Sequence, residues 1–170
     1  MEIRFSSFRI RSWNKNDAPS IVKYANNINI WRNLRDEFPY PYTLSDAEEF
    51  IAAVSAQEPQ AVFAIATTKE AIGGIGLSIG HDIHRYRAEL GYWLAEPFWN
   101  KAIMTEAVVL MADYAFEHLN LNRIFAEPYD RNQASIRVLK KAGFQFEGRL
   151  KSNVCKEGEI LDQLLYAKVK

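Results

Sequence analysis

Residues 88–119 limit the fold more than any other stretch. Ala88–Leu94 (AELGYWL) reads as a strand, the chain passes one proline, Pro97, and a helix then opens almost at once over about 104–119. Met104, Ala107, Val108, Leu110, Met111, Ala115 and Phe116 put apolar side chains on most sides of that helix. A helix with no continuous polar face has to be covered on both flanks, so it belongs at the centre of a layered structure.

The remaining chain supplies the layers. Phe5 to Trp13 alternates loosely and reads as a first strand. The next helix accepts Pro19 in its first turn if Asn16 is the N-cap, with Ile21, Val22, Tyr24 and Ala25 on its apolar side. RDEFPYPYT, residues 35–43, holds two prolines and two tyrosines and forms an extended, rigid loop. Thr43 or Ser45 caps the helix after it; Ser45 with Glu48 has capping-box spacing, and Leu44, Ala47, Phe50, Ile51 and Val54 share one face. AVFAIATT (61–68) and AIGGIGLSIG (71–80) are strands joined as a hairpin across Lys69 and Glu70. Beyond the central helix come a strand over 123–128, a short helix capped by Asn132 and ended by Gly143, and strands over 144–149 and 160–168. This order predicts an α+β (mixed α/β) fold, one mixed sheet of about seven strands with about four helices on both faces.

With 170 residues and no linker or low-complexity stretch, the expectation is a single domain, 1–170. Twenty-one basic residues offset 21 acidic ones, which argues against a dedicated nucleic-acid binder. Cys155 is the only cysteine, there is no apolar segment of signal-peptide type, and no apolar run reaches about 18 residues. The expected setting is the cytoplasm, without a membrane partner. Gly73-Gly74-Ile75-Gly76 opens no helix and so fails as a dinucleotide fingerprint. His81 and His84 have no further ligand nearby, so no metal is expected.

Two stretches have the means to carry chemistry. The turn from Glu96 to Thr105 ends at a helix N-terminus, whose unpaired N–H groups and partial positive charge suit an anion such as phosphate. Trp99, Asn100 and Lys101 lie just ahead of it. An ordinary strand-to-helix connection with a structural tryptophan reads equally well from these residues. In RNQASIRVLKKAGF (131–144), Ser135, Val138, Leu139 and Ala142 share one helix face, and Ser135 is its only polar member. A small serine bonded to a carbonyl one turn back gives the same pattern.

GYWLAEPFWNKAIMTEA (91–107) resembles the strand-loop-helix of the GNAT N-acetyltransferase superfamily, whose loop reads Q/R-x-x-G-x-G/A. It is most similar to the RimJ/RimL branch of ribosomal-protein N-terminal acetyltransferases, W-x-K-G-x-A/M-T-E-A: Trp99, Lys101, Met104, Thr105, Glu106 and Ala107 match. Ala102 stands where that branch usually has glycine. An alanine there needs negative φ and a methyl turned away from the ligand, so weakened rather than abolished cofactor binding is expected. RNQASIRVLKKAGF is similar to N-x-x-A/S-x-x-x-Y-x-K-x-G-F, with Leu139 in place of the tyrosine. LRDEFPYPYTLSDAEEFI and DQLLYAKV resemble further segments of the branch, so the likeness covers nearly the whole chain.

The resemblance implies a mostly antiparallel sheet in which a splayed strand pair, 88–94 and 123–128, forms the acetyl-CoA cleft. It implies transfer of acetyl from acetyl-CoA to a primary amine by direct attack in a ternary complex, the favoured acceptor being the N-terminal α-amine of a protein or peptide. Trp99, Asn100, Lys101, Ala102, Ile103, Met104 and Thr105 are then the diphosphate loop. A main-chain N–H near Trp93 or Leu94 bonds the thioester oxygen, and Asn132 bonds the pantetheine arm. Ser135 donates to the departing thiolate and Glu89 is the base. By their own chemistry Asp36 and Glu37 suit the ammonium of an arriving acceptor, with Tyr40 and Tyr42 lining its path; a rigid surface turn has the same composition. A small amine (polyamine, amino acid or aminoglycoside) is the alternative acceptor, and a non-catalytic acyl-CoA-binding module the alternative of another class. The chain is expected to act as monomer or homodimer.

Overall fold

The computed structural model describes residues 2–170. Eight strands and five α-helices follow in the chain order β1 (Glu2–Phe5), β2 (Phe8–Arg11), α1 (Ala18–Ala25), α2 (Ile28–Trp31), α3 (Leu44–Ser55), β3 (Val62–Ala66), β4 (Ala71–Ile79), β5 (Arg87–Leu94), α4 (Ile103–His118), β6 (Arg123–Ala126), α5 (Gln133–Lys141), β7 (Gln145–Lys156) and β8 (Glu159–Val169). The strands form one sheet in the order β1-β2-β3-β4-β5-β6-β8-β7. Its described pairs are antiparallel except β5 with β6, which run parallel. The mixed, mostly antiparallel fold expected from the sequence is present, with one strand and one helix more.

The chain divides into two compact units, residues up to Gly76 with Tyr92–Ile103, and Leu77–Gly91 with Met104–Lys170. In the first, the expected strand over 5–13 is a hairpin: β1 and β2 pair antiparallel, and the connection turns at Ser6 with φ +46°. The N-cap position of α1 is Asp17, not Asn16, and Asn14 caps the 3-10 turn Lys15–Asp17 that precedes it. The Asn14 side chain accepts from Asn16 N–H, and the Asp17 carboxylate returns a bond to Asn14 N–H at 2.9 Å and pairs with Arg11 at 2.7 Å. Pro19 sits in the first turn of α1 as expected. The capping box of α3 is Thr43 with Asp46 rather than Ser45 with Glu48. Ala47, Ile51 and Val54 face inward, while Leu44 stays 49% exposed because the first turn overhangs the core. With Trp13, Ile21, Ala25, Tyr42 and Ala64 they make one apolar cluster. β3 is buried on both faces after its first residue, which is why it reads as an unbroken apolar run.

In the second unit α4 carries the all-round apolar surface that opened the sequence argument: Met104, Ala107, Val108, Met111, Ala112 and Ala115 are all buried. β7 is much longer than 144–149, because Glu157 (φ +55°) and Gly158 (φ +76°) make a two-residue hairpin turn that returns it directly into β8. Register shifts after Phe146 and after Leu150 kink β7 along its length.

Candidate functional site

The end of β5 is fixed by its ladder to β4. Ala95 N–H donates to Ile72 C=O at 2.8 Å, and at the far end of the hairpin Gly80 N–H donates to Arg87 C=O at 2.9 Å. Both bonds obey one register, so odd-numbered residues of β5 turn their main-chain groups toward β4 and even-numbered residues turn theirs to the opposite edge. Trp93 C=O therefore faces β4, where a Cβ on Gly73 would meet it at 2.5 Å. A Cβ on Gly74 would lie 2.9 Å from Trp93 Nε1 and 3.2 Å from the Trp13 ring. On the other edge β5 pairs with β6 through Arg87, Ala88 and Glu89 and then stops. The sequence offered the N–H of Trp93 or Leu94 as donor to a thioester oxygen. Strand alternation assigns Trp93 to the ladder and leaves Leu94.

The chain beyond Leu94 is held at every step. Ala95 and Glu96 carbonyls accept from Phe98 and Trp99 N–H at 2.9 and 3.1 Å, closing a 3-10 turn over Glu96–Phe98. Trp99 Nε1 donates to Leu94 C=O at 2.7 Å, tying the loop back to the strand it has just left. The Phe98 ring stands edge-on to Phe8 at 6.4 Å and to Tyr24 at 6.1 Å. Lys101 Nζ folds back onto Pro97 C=O at 3.0 Å, keeping its charge beside the loop. The Glu96 carboxylate accepts from Asn27 Nδ2 at 2.6 Å and from Asn29 Nδ2 at 3.3 Å, and these two bonds, Asn27's first, hold its pKa below the usual carboxylate range.

Then the backbone changes hand twice. Asn100 and Ala102 both adopt φ +60°. Ala102 therefore does not take the negative φ expected of it. An L-residue in this conformation costs about 1–2 kcal/mol, which the bonds on either side must offset. Left-handed residues flanking Lys101 are the kind of backbone from which anion-binding nests are built. α4 begins directly after, so Ala102 occupies its N-cap position with a methyl group that cannot accept a bond. The N–H groups of Ala102, Ile103, Met104 and Thr105 are the four that a helix starting at Ile103 leaves without an intrahelical acceptor. Four donors at the positive end of a 16-residue helix are left for an anion.

The second unit carries Glu89, Asn132 and Ser135. Glu89 is half-buried on β5, opposite Phe125 in the parallel register, with the Arg87 guanidinium 5.3 Å from the Phe125 ring on the same side of the strand. Asn132 caps α5, its Oδ1 accepting from Ser135 N–H at 3.2 Å, which leaves Nδ2 as its free-standing donor group. Ile136, Leu139 and Ala142 are buried, whereas Ser135 and Val138 are half-buried. Ser135 thus sits at the margin of the packed face rather than within it, which the i, i+3, i+4 pattern alone does not distinguish. The strand leading to α5 is anchored through Gln163, 8% exposed, whose Nε2 donates to Glu127 C=O at 2.8 Å.

The proline-rich loop 35–43 belongs to the first unit and splits into two kinds of residue. Asp36, Glu37 and Tyr40 are exposed; the Tyr40 ring stacks on Trp31 at 5.5 Å. Tyr42 is 5% exposed, lies 5.0 Å from Phe38, and burial pushes its hydroxyl up to about 12. It packs in the core cluster, whereas the sequence places it along the acceptor's path. Phe38, which that reading passed over, stands 6.0 Å from Trp93 and joins the loop to the end of β5. Asn27, Asn29 and Glu96 were also missed; the only available signal was the N-cap preference of asparagine at position 27.

A family model described as an acetyltransferase (GNAT) domain matches residues 7–145. The uncharacterized N-acetyltransferase p20 of Bacillus licheniformis is 38% identical over 103 residues, covering 61% of this chain and 57% of its own length. The chain thus spans little more than half of that relative. Spermidine N(1)-acetyltransferase of Escherichia coli K12 is 26% identical over 144 residues, 85% of this chain and 76% of that protein. The solved structure of RimL, a ribosomal L7/L12 α-N-protein acetyltransferase in complex with coenzyme A, aligns over 99% of this chain and 98% of its own with a TM-score of 0.86 at 22% identity. That likeness establishes the fold.

Proposed function

Since the chain belongs to the acetyltransferase (GNAT) domain family, we propose that it transfers an acetyl group from acetyl-CoA to a primary amine, with the N-terminal α-amine of a protein or peptide as the favoured acceptor. The observation that carries this reading is the first turn of α4: four main-chain donors without an intrahelical acceptor, approached through two left-handed residues. A diphosphate fits that chemistry, being a paired anion that takes several N–H donors without a counter-cation. Acetyl-CoA, when bound, supplies an activated acyl group on a thiolate leaving group.

The chain's own residues then have separable tasks. Ala102 to Thr105 hold the diphosphate, with Lys101 charge nearby and Trp99 bracing the loop. Leu94 N–H donates to the thioester oxygen as negative charge grows there. Asn132 Nδ2 donates to the pantetheine arm. The Ser135 hydroxyl donates to the departing sulfur, and Glu89 takes the amine proton, directly or through water. The base need not be strong. An α-amine has a pKa of about 7.7–8.0 and a lysine about 10.4, so near pH 7 roughly 10–15% of the first and far below 1% of the second is neutral. That gap of about 2.5 units is worth roughly 3.4 kcal/mol, and an α-amine acceptor escapes it.

The relative that is a spermidine N(1)-acetyltransferase keeps a polyamine as the second reading. The peptide remains favoured because its α-amine is already partly neutral near pH 7, which a polyamine nitrogen of lysine-like pKa is not. Calorimetry with acetyl-CoA followed by thiol release over a panel of peptides and polyamines tests the proposal: peptide turnover is expected, and polyamine turnover alone would reverse the order of acceptors. Binding without turnover would instead favour a non-catalytic module. Ser135→Ala should lower kcat by about 10–100-fold with acetyl-CoA affinity nearly unchanged.

A further inference from the structure

The side chains of Asn27, Asn29 and Glu96 have no part in the chemistry above, yet they join the turn that feeds the diphosphate loop to the helix beside the proline-rich loop, whose Asp36, Glu37 and Tyr40 the sequence places before the acceptor. Asn27 makes two bonds with one amide. Its Oδ1 accepts from Asn29 N–H at 2.8 Å and caps α2, while its Nδ2 donates to Glu96 at 2.6 Å. Asn29 Nδ2 adds a longer bond to the same carboxylate at 3.3 Å. On one side of this clamp stands the 3-10 turn that feeds the diphosphate loop. On the other stands α2, whose Trp31 carries the Tyr40 ring of the proline-rich loop in a 30° stack.

We infer that Asn27 and Glu96 are positioning residues that hold the acceptor-facing loop in register with the diphosphate loop. This rests on the proposed transferase reading. The two sides of the clamp differ in what else secures them. The turn at Glu96–Phe98 is also fixed by the Ile72 ladder bond, the Trp99 indole and the rings of Phe8 and Tyr24. α2 is only four residues long, with Ile30 its one buried residue, and Asn27 is both its cap and its link to Glu96. Like charge at the clamp therefore acts on the first turn of α2 and the stack it carries, while the diphosphate loop keeps its own ties. The acceptor side loses affinity and the cofactor side does not.

The double duty of Asn27 allows the clamp to be separated from the cap. Asn27→Asp retains an oxygen that caps α2 as well as asparagine does, but sets a second carboxylate against Glu96. Glu96→Gln in the same chain then restores a donor–acceptor pair with its polarity reversed. In Asn27→Asp, the KM for a short peptide with a free α-amine should rise about tenfold, as for loss of a charge-assisted hydrogen bond, while the acetyl-CoA Kd by calorimetry stays within about twofold. Amide hydrogen exchange over 28–34 should quicken about tenfold, with or without turnover, and Asn27→Asp/Glu96→Gln should bring both readings back to within about threefold of the parent. Unchanged exchange in Asn27→Asp, an equal loss of acetyl-CoA affinity, or failure of the second substitution to restore would each overturn the inference. Should the unaltered protein bind no acetyl-CoA, the transferase reading falls by itself, and the exchange experiment still decides whether the clamp holds α2.

Discussion

α3 and α4 both begin where extended chain meets a helix, and their first turns are completed in opposite ways. At α3, Thr43 Oγ1 accepts from Asp46 N–H at 3.2 Å and the Asp46 carboxylate accepts from Thr43 N–H at 2.8 Å, so the helix satisfies its own end. At α4 the cap position is Ala102, held at φ +60°, and four N–H groups have no intrahelical acceptor. One end is closed by side chains and serves stability. The other accepts a strained backbone and a first turn without a side-chain cap at Ala102, and the proposed diphosphate is what would supply acceptors there. Where a fold leaves a helix end unfinished although capping residues are common elsewhere in the same chain, the omission is itself a statement about binding.

Giving α4 a cap of its own should break this contrast most completely. Ala102→Asp places a carboxylate where the anion is proposed to sit, in a left-handed conformation that aspartate tolerates better than alanine. Acetyl-CoA affinity should fall by about 100-fold or more by calorimetry while the melting temperature holds or rises. The converse removal, Thr43→Ala, should destabilise the protein by about 1 kcal/mol, a melting shift of about 2–4 °C, and leave acetyl-CoA affinity untouched. Ala102→Gly sharpens the comparison at smaller scale. Relief of about 1–2 kcal/mol of left-handed strain is partly offset by glycine's greater unfolded-state entropy, about 0.5–1 kcal/mol. The expected result is a slight rise in melting temperature and no more than about threefold tighter binding.

The smallest effect is a pH dependence. Thr43, through its side chain first and its backbone second, holds the Asp46 carboxyl below the usual aspartate range. A carboxyl depressed in the folded state contributes fully above its unfolded pKa and loses that contribution as pH falls through the folded one. The difference in melting temperature between the parent and Asp46→Asn should therefore be constant above about pH 5 and shrink below about pH 4.

The sequence made the closed helix end easier to read than the open one. S/T-x-x-D/E spacing announces a cap; of the two caps the sequence offers, Thr43 and Ser45, the structure uses Thr43, and the box partner is Asp46 rather than Glu48. The open end hid its main feature, since nothing in NKAIM requires positive φ at an alanine; that conformation comes from the ties at Leu94, Pro97 and Asn27, which are distant in sequence or carried by main chain. The hairpin of β1 and β2 escaped notice because Ser6–Ser7 lacks the glycine or asparagine that marks most tight turns. α2 escaped because four residues carry no period. Tyr40 and Tyr42 are alike in composition and neighbourhood, and only tertiary packing sends one to solvent and the other into the core. The long runs, by contrast, needed no tertiary information: α4, the β3–β4 hairpin and β8 declare themselves through apolar periodicity and length.

The bare β4 backbone under Trp93 has a consequence for protein engineers. At Gly73 any side chain would collide with a neighbouring strand's carbonyl, and at Gly74 with two indoles. Side-chain libraries at these two positions should therefore return mostly misfolded clones. The workable territory is the exposed half of the 35–43 loop, where side chains already differ in fate from one residue to the next.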